Sequence, residues 1–178
     1  RSSDLGSNTV TVTTGNFVIT TGSGNDSVTA GNGNNTIDVG GGNNTVVVGD
    51  GNNILTGGAG NDHFTAGNGD NIFRGGLGTN VITAGTGNNT IDYSLVTTTA
   101  VVISLAAGTP TGTGLSDSFT GVENVVGSNQ NDTITGNSQV NILNGGAGDD
   151  VITGGGGNDT FYGGDGNDTI TGGTGNDI

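Results

Sequence analysis

GGAGDDVIT GGGGNDTFY GGDGNDTIT GGTGNDI fills residues 145–178. The run repeats one nine-residue unit, G-G-x-G-x-D-x-U-x, where U is a large apolar residue such as Ile152, Phe161 or Ile170. The glycine half reads as a turn, because glycine reaches positive φ at low cost and lets backbones approach closely. The x-U-x half reads as a very short strand, its central side chain on one face and its neighbours on the other. A fixed period of this length marks a solenoid, in which each repeat buries its apolar residue only by stacking on the next.

The same unit runs through most of the chain. Residues 21–92 hold eight uninterrupted copies, with Val28, Ile37, Val46, Leu55, Phe64, Phe73, Ile82 and Ile91 at the apolar position. Gly6–Thr11 and Gly15–Thr20 keep only the second half of the unit, with Val10 and Ile19 nine residues apart. Residues 127–144 are two imperfect copies, carrying Ile134 and Leu143.

Between the blocks the period breaks. Val101, Ile103 and Leu105 alternate with Val102 and Ser104, which predicts a strand. Gly108–Gly114, with Pro110 inside, predicts a loop, and Val122–Val126 a further strand. Residues 93–126 read either as a linker between two domains or as a wider coil within one stack. The apolar strands on both sides favour the wider coil. The expected organisation is an Asn-rich repeat solenoid over 1–92, an irregular interruption over 93–126 and an Asp-rich repeat solenoid over 127–178. The expected fold is all-β: a right-handed parallel β-roll or β-solenoid with two repeats, eighteen residues, in each coil.

Sixteen acids face two arginines and no lysine, a formal charge of −14. Such a chain repels nucleic acid and anionic membranes and attracts a hard cation. The sequence contains no cysteine, so its cross-links are metal ions or backbone hydrogen bonds. No stretch is long and apolar enough to span a membrane. Arg1 and the mid-repeat stop at Ile178 read as the ends of a piece of a larger protein.

Ca²⁺ takes six to eight oxygens from carboxylates and backbone carbonyls. With two repeats per coil, residues eighteen apart share one edge. The pairs are Asp132 with Asp150, Asp150 with Asp168, and Asp159 with Asp177; Asn141 pairs with Asp159. Repulsion between stacked bare carboxylates argues for a cation between them. Asp132, Asp150, Asp159, Asp168 and Asp177 are therefore the expected metal ligands. At the same position the first block has Asp26, Asn35, Asn44, Asn53, Asp62, Asn71, Asn80 and Asn89. Asparagine offers both a neutral acceptor and two donors, so these residues can bond up the stack without metal. Several Ca²⁺ ions, mainly in the second block, are expected. His63 reads as a surface residue, and Asp38, Asp50, Asp70, Asp92, Asp149 and Asp165 as solvated charge.

The repeats resemble the RTX, or hemolysin-type calcium-binding, repeat family, over Thr21–Asp92 and Gly127–Ile178 and most closely in the second block. The interruption also resembles the segment that commonly breaks such arrays. The resemblance implies a parallel β-roll with Ca²⁺ in its turns, export by a type I system, disorder at low cytosolic calcium and folding outside the cell. It carries the ligand role onto the same five aspartates. The localisation it implies is secreted, extracellular or cell-surface.

Three functions compete. The first is a calcium-binding structural module. The second is a recognition module for polysaccharide, ice or another surface ligand. It would use an outward rank of Thr11, Thr29, Val47, Thr65 and Thr83, with Thr135, Thr153 and Thr171 in the second block. The third is the non-catalytic C-terminal part of a secreted toxin, lipase, protease or epimerase. Catalysis within this chain is disfavoured. Its one histidine has no cysteine or lysine to work with, and Asp117 and Glu123 lack an acid–base partner pattern.

Overall fold

The computed structural model describes residues 6–178; residues 1–5, the start of the expected first solenoid, lie outside the described part. The strands run in chain order from β1 (Thr9–Val12), β2 (Val18–Thr20), β3 (Ser27–Ala30), β4 (Thr36–Asp38) and β5 (Thr45–Val48) to β6 (Ile54–Thr56), β7 (His63–Ala66), β8 (Ile72–Arg74), β9 (Val81–Thr83) and β10 (Thr90–Asp92). Then come β11 (Val102–Ser104), β12 (Ser118–Thr120), β13 (Asn124–Val126) and β14 (Thr133–Thr135). The chain closes on β15 (Ile142–Ala147), β16 (Val151–Gly156), β17 (Thr160–Asp165) and β18 (Thr169–Thr174).

Residue contacts divide the chain into two compact units. The first runs to Asn89 and takes in Asp117–Gly121; the second holds Thr90–Ser116 and Val122–Ile178. Each is a parallel β-solenoid. In the first, β1, β3, β5, β7, β9 and β12 form one parallel sheet, and β2, β4, β6 and β8 another. In the second, β10, β13, β15 and β17 pair in one sheet, and β11, β14, β16 and β18 in the other. The register steps by two repeats: Val28 faces Val46, which faces Phe64, and Ile134 faces Ile152. Two repeats per coil is therefore the observed geometry.

The apolar position fills the interior. Val28, Val46, Leu55, Phe64, Phe73 and Ile91 have no exposed surface, and the rings of Phe64 and Phe73 lie 6.4 Å apart. A second inward position, the first residue of each repeat, adds Ala30, Val39, Val48 and Ala66 to the core. The sequence reading assigned that residue to the turn. It follows the outward ninth residue, so strand alternation turns it inward.

The turns are held tight by glycine at their fourth position. Gly60 has φ +127°, and a Cβ there would collide with the carbonyl oxygen of Gly42 one coil away. No other residue tolerates both conditions.

The interruption contains the two expected strands, β11 and β13, with Val101 and Ile103 buried and Val102 exposed. It also contains one that was not expected. β12 pairs with β9 and sets Phe119 against Ile82. Its three residues follow Asp117, so Asp117-Ser118-Phe119 is the D-x-U half of a repeat in which Thr113 and Leu115 replace the second and fourth glycines. In the last repeats the strands lengthen to six residues, because Gly146 pairs with Gly164 and Gly155 with Gly173.

Candidate metal centre

The sixth residue of every repeat turns inward and bonds up the stack. In the first compact unit the backbone N–H and side-chain Nδ2 of Asn35 both donate to Asn53 Oδ1, at 3.0 and 2.9 Å. Asn53 donates in the same way to Asn71, and Asn71 to Asn89. Each amide also reaches its own turn, as Asn53 Nδ2 reaches the Gly51 carbonyl at 2.9 Å. Asn53, Asn71 and Asn89 are fully buried, and a ladder of amides satisfies them without any ion.

The other edge alternates. Asp26 N–H donates to Asn44 Oδ1, Asn44 donates by N–H and Nδ2 to Asp62 Oδ1, and Asp62 N–H donates to Asn80 Oδ1. Asn80 then donates twice to Asp117 Oδ1, 37 residues on, at 2.8 Å. Asp117 is thus a buried rung of this column. Sequence spacing missed it because the interruption displaces it from the eighteen-residue step; the D-x-U fragment around it was the available signal.

In the second compact unit the columns are carboxylates. Asp132 N–H donates to Asp150 Oδ1 at 2.7 Å, and Asp150 N–H to Asp168 Oδ1 at 3.0 Å. On the other edge Asn141 N–H donates to Asp159 Oδ1 and Asp159 N–H to Asp177 Oδ1, both at 2.9 Å. The eighteen-residue pairs read from the sequence are adjacent rungs. Burial pushes the Asp150 carboxyl above the usual carboxylate range; the Asp132 N–H opposes this, and the charges of Asp132, Asp168 and Asp149 reinforce it.

The second oxygen of each carboxylate decides what the columns can hold. Asp150 Oδ2 and Asp159 Oδ2 are buried and accept no hydrogen bond. Each borders a space left open because the first residue of its repeat is glycine. A Cβ on Gly145 would collide with Asp150 Oδ2 and lie 2.6 Å from the Gly163 carbonyl oxygen. One on Gly154 would collide with Asp159 Oδ2 and lie 2.5 Å from the Gly172 carbonyl oxygen. A Cβ on Gly163 or Gly172 would likewise collide with Asp168 Oδ2 or Asp177 Oδ2. A carboxylate oxygen and a glycine carbonyl facing one space, with no donor between them, fit a hard cation. Among the described residues no three His, Cys, Asp or Glu side chains converge, so backbone carbonyls must supply the remaining oxygens, which Ca²⁺ accepts.

Asp132 differs from the other four. Its Oδ1 accepts from Val101 N–H and Ser128 Oγ, both at 2.8 Å, and its Oδ2 from Ser128 N–H at 2.5 Å. Its carboxylate is already satisfied by protein donors. Burial nevertheless raises its proton affinity, against the pull of the Val101 and Ser128 bonds.

Several aspartates expected to be mere solvated charge are rungs of an outer ladder. Asp50 accepts from Asn68 N–H, Asp70 from Asn88 N–H and Asp149 from Asn167 N–H, each at 2.8 Å. Asp92 is buried and accepts from Ser94 N–H. His63 is exposed on β7, as expected.

A profile of the RTX calcium-binding nonapeptide repeat matches residues 3–37, 11–46, 38–73, 47–82, 74–92, 117–152 and 145–178. The chain belongs to this family. It is a calcium-binding structural repeat module. The match takes in 117–126 of the interruption, where Asp117 and Phe119 keep the half-repeat, and it also reaches residues 3–20. Comparison with curated proteins finds no significant match.

Proposed function

We propose that several calcium ions bind in the turns of the second compact unit and complete its folding, in a larger protein that acts outside the cell or on its surface. Asp150, Asp159, Asp168 and Asp177 supply carboxylate oxygens, and the glycine turns supply carbonyls. Asp132 lies next to Asp150 in its column and contributes chiefly charge. The observation that carries this reading is the pair of buried, unpartnered oxygens, Asp150 Oδ2 and Asp159 Oδ2. Without a cation each costs about 1–3 kcal/mol of desolvation left uncompensated. With one, the binding free energy becomes folding free energy. The asparagine ladders of the first unit have no such debt along Asn35–Asn89, and that edge folds without metal.

An exported setting agrees with this chemistry, because a site completed by calcium stays open where calcium is scarce and closes where it is abundant. No helix among the described residues is long and apolar enough to cross a membrane. Calorimetric titration of the full chain with Ca²⁺ tests the reading. Several ions should bind, and Asp150→Asn with Asp159→Asn should remove sites. Unchanged stoichiometry in the double variant overturns it.

Recognition of a polysaccharide or other surface ligand is the second reading. Thr11, Thr29, Thr65 and Thr83 stand in register on one outward face. Val47 breaks that rank, and His63 and Val81 break the rank beside it, so the calcium reading is preferred.

A further inference from the structure

The outer face of the second compact unit has a hollow, and it arises from a local departure in the strand ladder. In regular coils the N–H of the seventh residue donates to the carbonyl of the sixth residue one coil back. Ile54 N–H does so to Asn35 and Thr160 N–H to Asn141, at 2.8 and 2.9 Å. At β15 the equivalent carbonyl is that of Glu123, and it accepts Asn141 Nδ2 at 2.8 Å. The Ile142 N–H donates instead to Asn124 Oδ1, at 2.9 Å. Pairing between β13 and β15 therefore starts only at Val125 and Leu143.

That bond draws Asn124 down onto the sheet. Asn124 stands at an outward strand position, in register with Thr90, yet it is only 7 % exposed. Ile142, at the same position of the next strand, is 46 % exposed. A cavity of about 140 Å³ is left beside Asn124. Tyr162, 56 % exposed, and Asn144, its partner in register, line it together with Ile142, Val126 and Thr90.

The lining carries polar groups without protein partners. Asn124 Oδ1 is occupied by the Ile142 N–H, but Asn124 Nδ2 has no hydrogen-bond partner among the described residues. The same holds for the Asn144 side-chain amide and the Tyr162 hydroxyl. An apolar ligand would bury the Asn124 donor unpaired, which is unfavourable. No charged residue lines the cavity, and a chain of net charge −14 disfavours an anionic ligand. The volume is also below the range of about 300–1,000 Å³ that drug-sized ligands fill. A single neutral ring with an apolar face and a rim of hydroxyls satisfies all these conditions. Its face suits the tyrosine ring, which is apolar in body and polar at its tip, and its rim suits the free amides.

We propose that this cavity binds one neutral pyranose ring of a glycan, with Tyr162 against the sugar face and Asn124 Nδ2 and the Asn144 amide bonded to its hydroxyls. The surface differs from the outward threonine rank, whose members Thr135, Thr153 and Thr171 lie in the other sheet of this unit. The proposal does not depend on how the carboxylate turns are filled.

Nuclear magnetic resonance titration of the isotope-labelled full chain tests it, with Ca²⁺ present throughout. The probes are the methyl glycosides of glucose, galactose, mannose and N-acetylglucosamine, with glucuronate as the charged control. At least one neutral glycoside should shift the Asn124 and Asn144 side-chain amide resonances saturably, and glucuronate should bind more weakly. Tyr162→Ala should weaken binding about five- to tenfold. Asn124→Asp keeps the acceptor for the Ile142 N–H and removes only the free donor; it should weaken binding to a similar degree while the Ile142 amide resonance stays dispersed. Thr153→Ala should leave binding unchanged. The proposal is overturned if none of the neutral glycosides gives saturable shifts, if binding survives both the Tyr162→Ala and Asn124→Asp changes, or if glucuronate binds as well as the neutral sugars.

Discussion

Replacing Asn71 by alanine isolates what the amide ladder contributes. Asn71 is fully buried. Its Oδ1 accepts Asn53 N–H at 3.1 Å and Asn53 Nδ2 at 2.9 Å, and its Nδ2 donates to Asn89 Oδ1 and the Gly69 carbonyl, both at 3.0 Å. Some partners keep a second bond after truncation: Asn53 Nδ2 retains the Gly51 carbonyl, and Asn89 Oδ1 retains the Asn71 N–H. The Asn53 N–H loses its acceptor inside the stack. An orphaned buried donor costs about 1–3 kcal/mol, and the bonds whose partners stay satisfied add about 1 kcal/mol. The expected loss is about 3 kcal/mol. Asn61 supplies the control, because its Oδ1 accepts Thr79 N–H at 2.8 Å in the same interstrand pattern but on the exposed side of the turn. Water replaces that acceptor, so Asn61→Ala should cost about 0.5 kcal/mol or less. Urea unfolding in chelator, followed by far-ultraviolet circular dichroism, measures both. Equal costs for the two variants would refute the claim that burial of the ladder, and not its presence alone, stabilises the first unit.

Other outcomes follow from the same geometry. Asp150→Asn should stabilise the metal-free second unit, by placing a donor where Asp150 Oδ2 has no partner, and should lower its calcium affinity; chelator and calcium melts of one variant read both effects. The Asp132 and Asp150 carboxyls bind protons more tightly folded than unfolded, because burial raises both. Their contribution to metal-free stability therefore grows as pH falls through the raised folded values toward the ordinary unfolded range, and is lost as pH rises again. Mild acid should stabilise the metal-free chain and weaken calcium binding, which a titration repeated between neutral and mildly acid pH will reveal. Phe73→Ala, at a fully buried site against Phe64, should cost about 3–5 kcal/mol in the first unit whether or not calcium is present.

Much of this was legible in the sequence. Ile37, Leu55 and Phe73 recur at a fixed step, and that step alone implies stacked coils with a common interior. The alternation Val101-Val102-Ile103 was enough for β11. The eighteen-residue rule located Asp150 beside Asp168 and Asn53 beside Asn71. The rest depended on three dimensions. Asp117 and Phe119 were hidden because Thr113 and Leu115 stand where their repeat should have its second and fourth glycines, and because Asp117 lies 37 residues from Asn80. Ala30 and Val39 looked like turn residues, since the register that turns them inward follows from where the strand ends. Asp50 and Asp149 looked like free charge, because their bonds run to the next coil. The role of Ser128 depended on which carboxylate oxygen each of its donors reaches, which no linear spacing encodes.

Hydrogen exchange on the full chain, with calcium and with chelator, distinguishes a second unit that needs calcium to fold from one that does not. Amides of residues 145–178 should gain protection strongly on adding Ca²⁺, while those of the Asn35–Asn53–Asn71 edge should already be protected in chelator. Equal protection of the second unit with and without calcium would contradict it.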